Sequence, residues 1–350
     1  MTGKAPAKQG TRSMRVCLTG GAGYIGSHIL VGLLGDGHDV LVVDNFANSS
    51  PTSLQHVRNL TGRSFEVLKE NICNQPALTK SFSIFRPEIV IHCAGLKAVG
   101  ESQEQPLRYY RTNVEGSISL LEAMDEAGCQ RIIFSSSATV YGTPHYLPYD
   151  EAHPIAPVNV YGRTKAIIED LISDWAATDP ARSAALLRYF NPVGAHESGE
   201  IGEDPKGIPN NLVPYIADVA TGRRAALSVF GDDYDTRDGT GVRDYLHVTD
   251  LADGHIAAMV YLDAHQGVEV FNLGTGTGCS VLEVVAAFRR ASNQSIPYEI
   301  NPRRDGDIAE FFANPTKANN LLEWKATRTL DAMCADVWRW RSRYPRGFDG

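Results

Sequence analysis

No apolar run among the 350 residues approaches the roughly 18 that a membrane-spanning helix requires, so no such span is expected. Basic charge is scarce as well. Thirty-three Lys and Arg stand against 41 Asp and Glu, a net charge of −8 that excludes a general nucleic-acid binder. It leaves room for a small anionic ligand, because a few local arginines set the field inside a cleft. Cysteine is sparse. Cys17, Cys73, Cys93, Cys129, Cys279 and Cys334 are scattered without paired spacing, several in apolar strand-like runs. Reduced, buried thiols and a cytoplasmic location are therefore expected. His-Glu-x-x-His and Cys-x-x-Cys are both missing, so a metal enzyme finds no support. No internal repeat or low-complexity stretch stands out. Residues 1–13 are polar, lack the apolar core of a secretory signal, and read as a disordered tail.

What remains is an ordinary globular composition, 43% hydrophobic and 21% charged, with enough core for one large domain or two moderate ones. The strand-like run Met14 to Thr19 leads directly into Gly20-Gly21-Ala22-Gly23-Tyr24-Ile25-Gly26 and then a helical pattern through Leu34. A second apolar run, Val40 to Val43, ends in Asp44. Strand, glycine turn, helix, strand and acid form the layout of a dinucleotide-binding βαβ unit. In it Gly20 permits the tight turn, Gly23 lets backbone amides approach a pyrophosphate, and Gly26 allows close helix–strand packing. The pyrophosphate would rest on the helix N-terminus. Asp44 would bind the adenosine ribose hydroxyls and repel a 2′-phosphate, which favours NAD over NADP. The first glycine gap is one residue wider than in the common fingerprint.

The alternation of apolar runs and helical patterns continues to Tyr189, and near-continuous apolar strands between helices mean a parallel sheet buried on both faces. The fold class is α/β, a doubly wound Rossmann-type parallel sheet over residues 14–190. From Asn191 onward glycine and proline break the rhythm into long loops, and residues 191–350 are expected to form a smaller, loop-rich substrate domain. Within it, the segment near 244–275 is expected to return to the main sheet through a late strand at Glu269–Leu273. Residues 107–127 are expected to form one long amphipathic helix.

Chemistry concentrates at Tyr161-Gly162-Arg163-Thr164-Lys165. A helix turns once in 3.6 residues, so Tyr161 and Lys165 share a face. An ammonium beside a phenol favours phenolate, so the spacing predicts a lowered Tyr161 pKa and a general base near neutral pH. Ser137, at an earlier strand end, could hold the same substrate oxygen while a hydride leaves for nicotinamide.

Nucleotide-binding turn, Ser137 and Tyr-x-x-x-Lys together resemble the extended short-chain dehydrogenase/reductase family. Longer motifs narrow the resemblance to its UDP-glucose 4-epimerase branch. They are Thr-Gly-Gly-Ala-Gly-Tyr-Ile-Gly-Ser-His at 19–28, Ala-Gly-Leu-Lys-Ala-Val-Gly-Glu-Ser at 94–102 and Ser-Ser-Ser-Ala-Thr-Val-Tyr-Gly at 135–142. Leu-Leu-Arg-Tyr-Phe-Asn-Pro-Val-Gly-Ala-His at 186–196, Gly-Ile-Pro-Asn-Asn-Leu at 207–212 and Asp-Gly-Thr-Gly-Val-Arg-Asp-Tyr at 238–245 complete the set.

The resemblance implies a redox-neutral inversion at C4 of UDP-glucose and UDP-galactose through a 4-keto sugar, with NAD retained, as in galactose metabolism. Tyr161, Lys165 and Ser137 would be catalytic. Tyr24, Ile25, Asp44, Asn45, Asn48, Asn71, Ile72, Cys93, Lys97, Lys165 and Tyr189 would line the NAD site with the glycine turn. The UDP-sugar would meet Lys97, Ser137, Tyr161, Tyr189, Asn191, Asn211, Leu212, Arg243, Arg304 and Asp307. Physical sense agrees: Arg243 and Arg304 are bidentate donors for a diphosphate, and Phe230 offers an apolar face near uracil.

Three positions depart from or vary within the family. Asn71 replaces an Asp beside adenine, and its amide oxygen can accept the same bond. Cys93 replaces a Phe and removes ring volume near the cofactor. Phe311 falls where the family varies between small and bulky residues at the sugar-pocket wall. A ring there leaves little room for a 2-acetamido group, so N-acetylated UDP-hexoses are expected to be disfavoured.

Rival readings are weaker. A 4,6-dehydratase needs an Asp-Glu pair after the serine or threonine, where Ala138 and Thr139 stand. A decarboxylase usually carries Glu at the Thr139 position. A non-catalytic NAD-binding regulator has no need of Ser137, Tyr161 and Lys165 together. By resemblance, the helices near 107–127 and 155–175 pair across a two-fold axis in a homodimer. The apolar residues Leu107, Val114, Ile118, Leu121 and Ile167, Ile168, Leu171, Ile172 could serve that contact or simply cover the sheet.

Overall fold

The computed structural model describes residues 12–205, 209, 211–304 and 306–348. The tail reading for 1–11 lies outside them. Arg12 and Ser13, which that reading included, are tied to the body: Arg12 pairs with Glu88 at 2.7 Å and Ser13 donates to the Gly37 carbonyl at 2.8 Å.

The first half runs β1 (Arg15–Thr19), α1 (Tyr24–Gly35), β2 (Asp39–Val43), α2 (Pro51–Thr61), β3 (Glu66–Leu68), α3 (Gln75–Phe85) and β4 (Ile89–His92). Next come α4 (Val99–Glu104), α5 (Pro106–Tyr109), a π-helical turn (Tyr110–Glu115), α6 (Gly116–Ala127), β5 (Arg131–Ser135), a 3₁₀ turn (Ala138–Val140), α7 (Val160–Ala177) and β6 (Ser183–Tyr189). The second half holds β7 (Asn191–Val193), α8 (Leu212–Ala220), β8 (Leu227–Phe230), β9 (Val242–His247), α9 (Val248–Ala264) and β10 (Gly267–Leu273). It closes with β11 (Gly278–Ser280), α10 (Val281–Ser292), β12 (Tyr298–Asn301), β13 (Glu310–Phe311), α11 (Thr316–Leu321) and α12 (Leu330–Arg343).

Seven strands form one parallel sheet in the order β10-β6-β5-β4-β1-β2-β3. Its residues alternate between two cores, as the two-residue period of a strand requires. Val16, Leu18, Val40, Val42, Ile89, Ile91 and Ile133 face α1, α2 and α9. Cys17, Leu41, Val43, Val90, Ile132 and Phe134 face α3, α6 and α7. The sheet is doubly wound, and β10 returns to it beside β6 as the sequence suggests. Chain order reverses about β1, so the carboxyl ends of β1 and β4 open the crevice where such sheets take ligands.

The expected 107–127 helix is interrupted. The π turn at Tyr110–Glu115 turns Asn113 inward, where its amide accepts from Leu96 N at 2.8 Å and donates to Leu96 O at 3.1 Å. That clamp fixes the loop after β4, and π turns often mark functional regions.

The smaller domain gathers α8, α10 and α12 around β8 and β9 in its own core. Strands β11, β9 and β13 form its sheet, with β7 paired to β9.

Candidate active site

Gly20 closes β1 with φ +71°, and a Cβ there would lie 2.8 Å from Ala94 N at the end of β4. Only glycine lets the two strand ends approach this closely at the crevice. Helix α1 then starts from Gly23 with no side-chain cap and no acid in its first turn. Its Tyr24, Ile25 and Gly26 amides belong to the donors a helix leaves unsatisfied, which suits a pyrophosphate.

Asp44 is buried and turned toward this loop. Its Oδ2 accepts from Ala22 N at 2.9 Å, and its Oδ1 accepts from Phe46 N and Ser49 Oγ, both at 2.9 Å. A carboxylate has about four acceptor positions, so one remains for a ribose hydroxyl. Asn45 and Asn48 are exposed beside it. The Asn71 amide oxygen accepts from Cys73 N at 3.0 Å and keeps one lone pair for adenine. Ile72 is buried against Gly116. Glycine turn, uncapped helix and carboxylate fit NAD.

The residues expected to be catalytic are brought together by α7 and the ends of β5 and β6. Asn159 caps α7, its Oδ1 accepting from Gly162 N at 2.7 Å. A Cβ at Gly162 would lie 2.8 Å from Thr139 O, so the absent side chain lets the 3₁₀ turn press onto the helix beside Tyr161. Ser137 caps that turn and accepts from Thr139 N at 3.2 Å and Thr139 Oγ1 at 3.0 Å. Thr139 is thereby spent on holding Ser137, whose hydroxyl stands beside Tyr161 and favours its ionised form.

Electrostatics depart from the sequence expectation. Burial pushes the Tyr161 phenol up to about 12, and the neighbouring Ser137 hydroxyl opposes this only in part. Lys165 does not lower it, because its ammonium points elsewhere: Nζ donates to Ser135 O at 2.7 Å and stands 5.9 Å from the Tyr161 ring centroid. Burial also lowers Lys165 itself to about 8, with Cys93 and Glu169 resisting.

Cys93 Sγ lies 3.0 Å from Ser135 Oγ, which is 2.6 Å from His255 Nε2. Burial pushes the Cys93 thiol up to about 11, so it stays protonated, in keeping with no catalytic role. Burial raises the Tyr189 phenol well above its ordinary value.

The third group lies in the smaller domain. The Arg304 guanidinium stacks 3.8 Å from the Phe230 ring centroid, and Arg243 approaches Asp307 at 3.8 Å. Phe311 pairs in register with Arg243 and packs 4.9 Å from Phe190 and 4.8 Å from Tyr149, centroid to centroid. Since Phe190 follows Tyr189, Phe311 joins the arginine cluster to the catalytic end. Asn191 opens β7 and Leu212 opens α8.

One residue escaped the sequence reading. Glu203 Oε1 accepts from Lys97 Nζ at 2.9 Å and Asn211 Nδ2 at 3.1 Å, joining two expected ligand contacts from opposite domains. Its position in a loop gives no periodic signal. Tyr24 reaches across as well, donating to Gly194 O at 2.7 Å.

The sequence model of the NAD dependent epimerase/dehydratase family matches residues 16–274. UDP-glucose 4-epimerase of Mus musculus is 55% identical over 341 residues, covering 95% of this chain and 98% of the mouse protein. The Bacillus subtilis UDP-glucose 4-epimerase is 51% identical over 335 residues, covering 96% and 99%. Among solved structures, the Bifidobacterium longum UDP-glucose 4-epimerase in complex with NAD⁺ and UDP superposes with a TM-score of 0.91. It is 49% identical and covers 95% of this chain and 99% of that one.

Proposed function

The chain belongs to the NAD dependent epimerase/dehydratase family, and from that premise we propose that it interconverts UDP-glucose and UDP-galactose by inverting C4 of the sugar. The observation that carries the reading is the convergence of Ser137, Tyr161 and Lys165 on strand ends beside an uncapped glycine turn. Bound NAD⁺ supplies the hydride acceptor and a positive charge of the kind a buried phenol needs to ionise. Tyr161 would take the O4 proton as hydride leaves C4, and once the 4-keto sugar has turned over the hydride would return to C4 on its other face while Tyr161 gives the proton back to O4. Ser137 holds the reacting oxygen for this transfer. Arg243, Arg304 and Phe230 grip the nucleotide end, which must stay fixed while the sugar rotates. Ala138 is buried and Thr139 is bonded to Ser137, so no acid–base pair is present there to eliminate water across C5–C6.

Phe311 supports a preference for the unacetylated sugars. It is wedged between Tyr149 and Phe190, which leaves it little freedom to swing away from an acetamido group.

Assembly as a homodimer is supported by the helix pair around α6 and α7. Leu121, Ile168 and Ile172 are buried in the core, whereas Leu107, Ile118 and Ile167 are exposed, Leu107 by 82%. The two uses considered for these apolar residues thus divide among them, and the exposed set suits a second copy of the chain. The six cysteines are free, in keeping with a reducing cytoplasm. No described helix is long and apolar enough to cross a membrane.

The deciding experiment follows UDP-galactose by NMR in the presence of the purified protein without added reductant. UDP-glucose at equilibrium supports epimerisation. A stable 4-keto-6-deoxy sugar, or an unchanged substrate, overturns it.

A further inference from the structure

Tyr161 and Lys165 are followed, one further turn along α7, by a third inward-facing residue. Glu169 continues the four-residue spacing and is 5% exposed. Its Oε1 accepts from Ser136 Oγ at 2.5 Å and from Arg188 Nε at 3.0 Å, while Oε2 accepts from Arg188 Nη2 at 2.5 Å. Ser136 directly precedes Ser137, and Arg188 directly precedes Tyr189. One carboxylate therefore ties the catalytic helix to the two strand ends that carry its neighbours in the site.

The brace extends beyond this pair. Arg188 Nη1 donates to the Tyr141 hydroxyl at 3.2 Å, and that hydroxyl donates to Asn272 Oδ1 at 2.6 Å. Asn272 Nδ2 donates to Tyr149 O at 3.0 Å, and Tyr149 packs on Phe311. The network runs without a break from α7 to the sugar-pocket wall.

We propose that Glu169 is a positioning residue for the reaction: with Arg188 it aligns Ser137, Tyr189 and Lys165, and its charge keeps Lys165 an ammonium. The inference rests on the epimerase reading, in which that ammonium serves the cofactor side of the site. Around Lys165 the facing groups are few. Strand β4 supplies His92 and the residue just after it the Cys93 thiol, while β5 supplies the Ser135 carbonyl and the Phe134 ring at 4.6 Å. Burial lowers His92 to about 3, and the imidazole is neutral. The thiol stays protonated, Tyr189 on β6 is a neutral phenol, and Arg188 on β6 is a cation. Tyr161 is a neutral phenol on the same helix until the reaction ionises it. Glu169 is thus the standing anion opposing the desolvation of Lys165. A carboxylate one helical turn away favours the charged form of the lysine, and an opposite charge nearby typically moves a pKa by about one unit or more.

The test measures kcat for UDP-galactose against pH for wild type, Glu169→Gln, Glu169→Asp and the double variant Glu169→Gln/Arg188→Met. The double variant removes both charges, so no buried cation is left without its partner. In both variants that lack the carboxylate, the basic limb of the profile should move down by about one pH unit. Glu169→Asp, which keeps the charge, should leave it near the wild-type position. An unmoved limb in a folded, charge-free variant overturns the proposal, as does an equal displacement in Glu169→Asp. Failure of both variants that lack the carboxylate to fold would make the pair structural only, and also overturn it. Inactive wild type would instead overturn the epimerase reading itself.

Discussion

Lys165 Nζ donates to the Ser135 carbonyl at 2.7 Å, while the Tyr161 ring centroid stands 5.9 Å from the same nitrogen. The lysine is therefore held by the sheet, and in the proposed reaction its ammonium serves the cofactor side of the site rather than the phenol. Burial holds its pKa at about 8, so the ammonium is lost as pH rises through that value. We expect kcat to fall above about pH 8 for this reason. Lys165→Met should lower kcat by about 100-fold or more and remove that limb, read from a pH–rate profile of the two proteins.

Tyr161→Phe should abolish turnover, a loss of roughly 100- to 10,000-fold, while NAD binding and folding persist. The same pair of proteins carries a stability signature. The folded phenol titrates at about 12 against an ordinary value near 10, so folding favours its protonated form. That stability is full below about pH 10 and is lost as pH rises toward 12. Relative to Tyr161→Phe, the wild type should lose up to about 3 kcal/mol across this window, as measured by urea unfolding at each pH.

Gly162→Ala places a methyl 2.8 Å from the Thr139 carbonyl, a backbone atom that cannot swing aside. The 3₁₀ turn must retreat from α7, taking Ser137 with it. We expect about 1–3 kcal/mol of destabilisation and a fall in kcat larger than any change in KM. Thermal unfolding and steady-state kinetics on the same preparation separate the two effects.

What could be read from the sequence followed from local pattern. The glycine turn, the alternating strands and the Tyr161–Lys165 spacing each state a structure within about thirty residues, and the resemblance supplied Arg243, Arg304 and Phe311. Contacts made through space left no such trace. Glu203 joins Lys97 to Asn211 across more than a hundred residues of chain, and Glu169 meets Arg188 only once α7 has packed on β6. The π turn at Tyr110–Glu115 was hidden because one extra residue in a turn barely disturbs an amphipathic pattern. The phenol's raised pKa was missed for a related reason. Helical spacing puts Lys165 near Tyr161, but burial and the aim of the ammonium decide which effect wins.

Phe311 is the position where specificity should yield to a single change. The ring is half-buried, fixed between Tyr149 and Phe190, and carried on a strand in register with Arg243. Replacing it with Gly or Cys removes most of the ring volume without touching Tyr161, Ser137 or Lys165. We expect UDP-N-acetylglucosamine to become a substrate, with kcat/KM rising at least about tenfold, within the range set by pocket volume. UDP-galactose turnover should fall by less than that, because the catalytic group is unchanged. The lost aromatic packing should cost about 2–4 kcal/mol of stability, seen as a lower Tm. Efficient turnover of UDP-N-acetylglucosamine by the wild type would show instead that the sugar turns in space the Phe311 ring does not close.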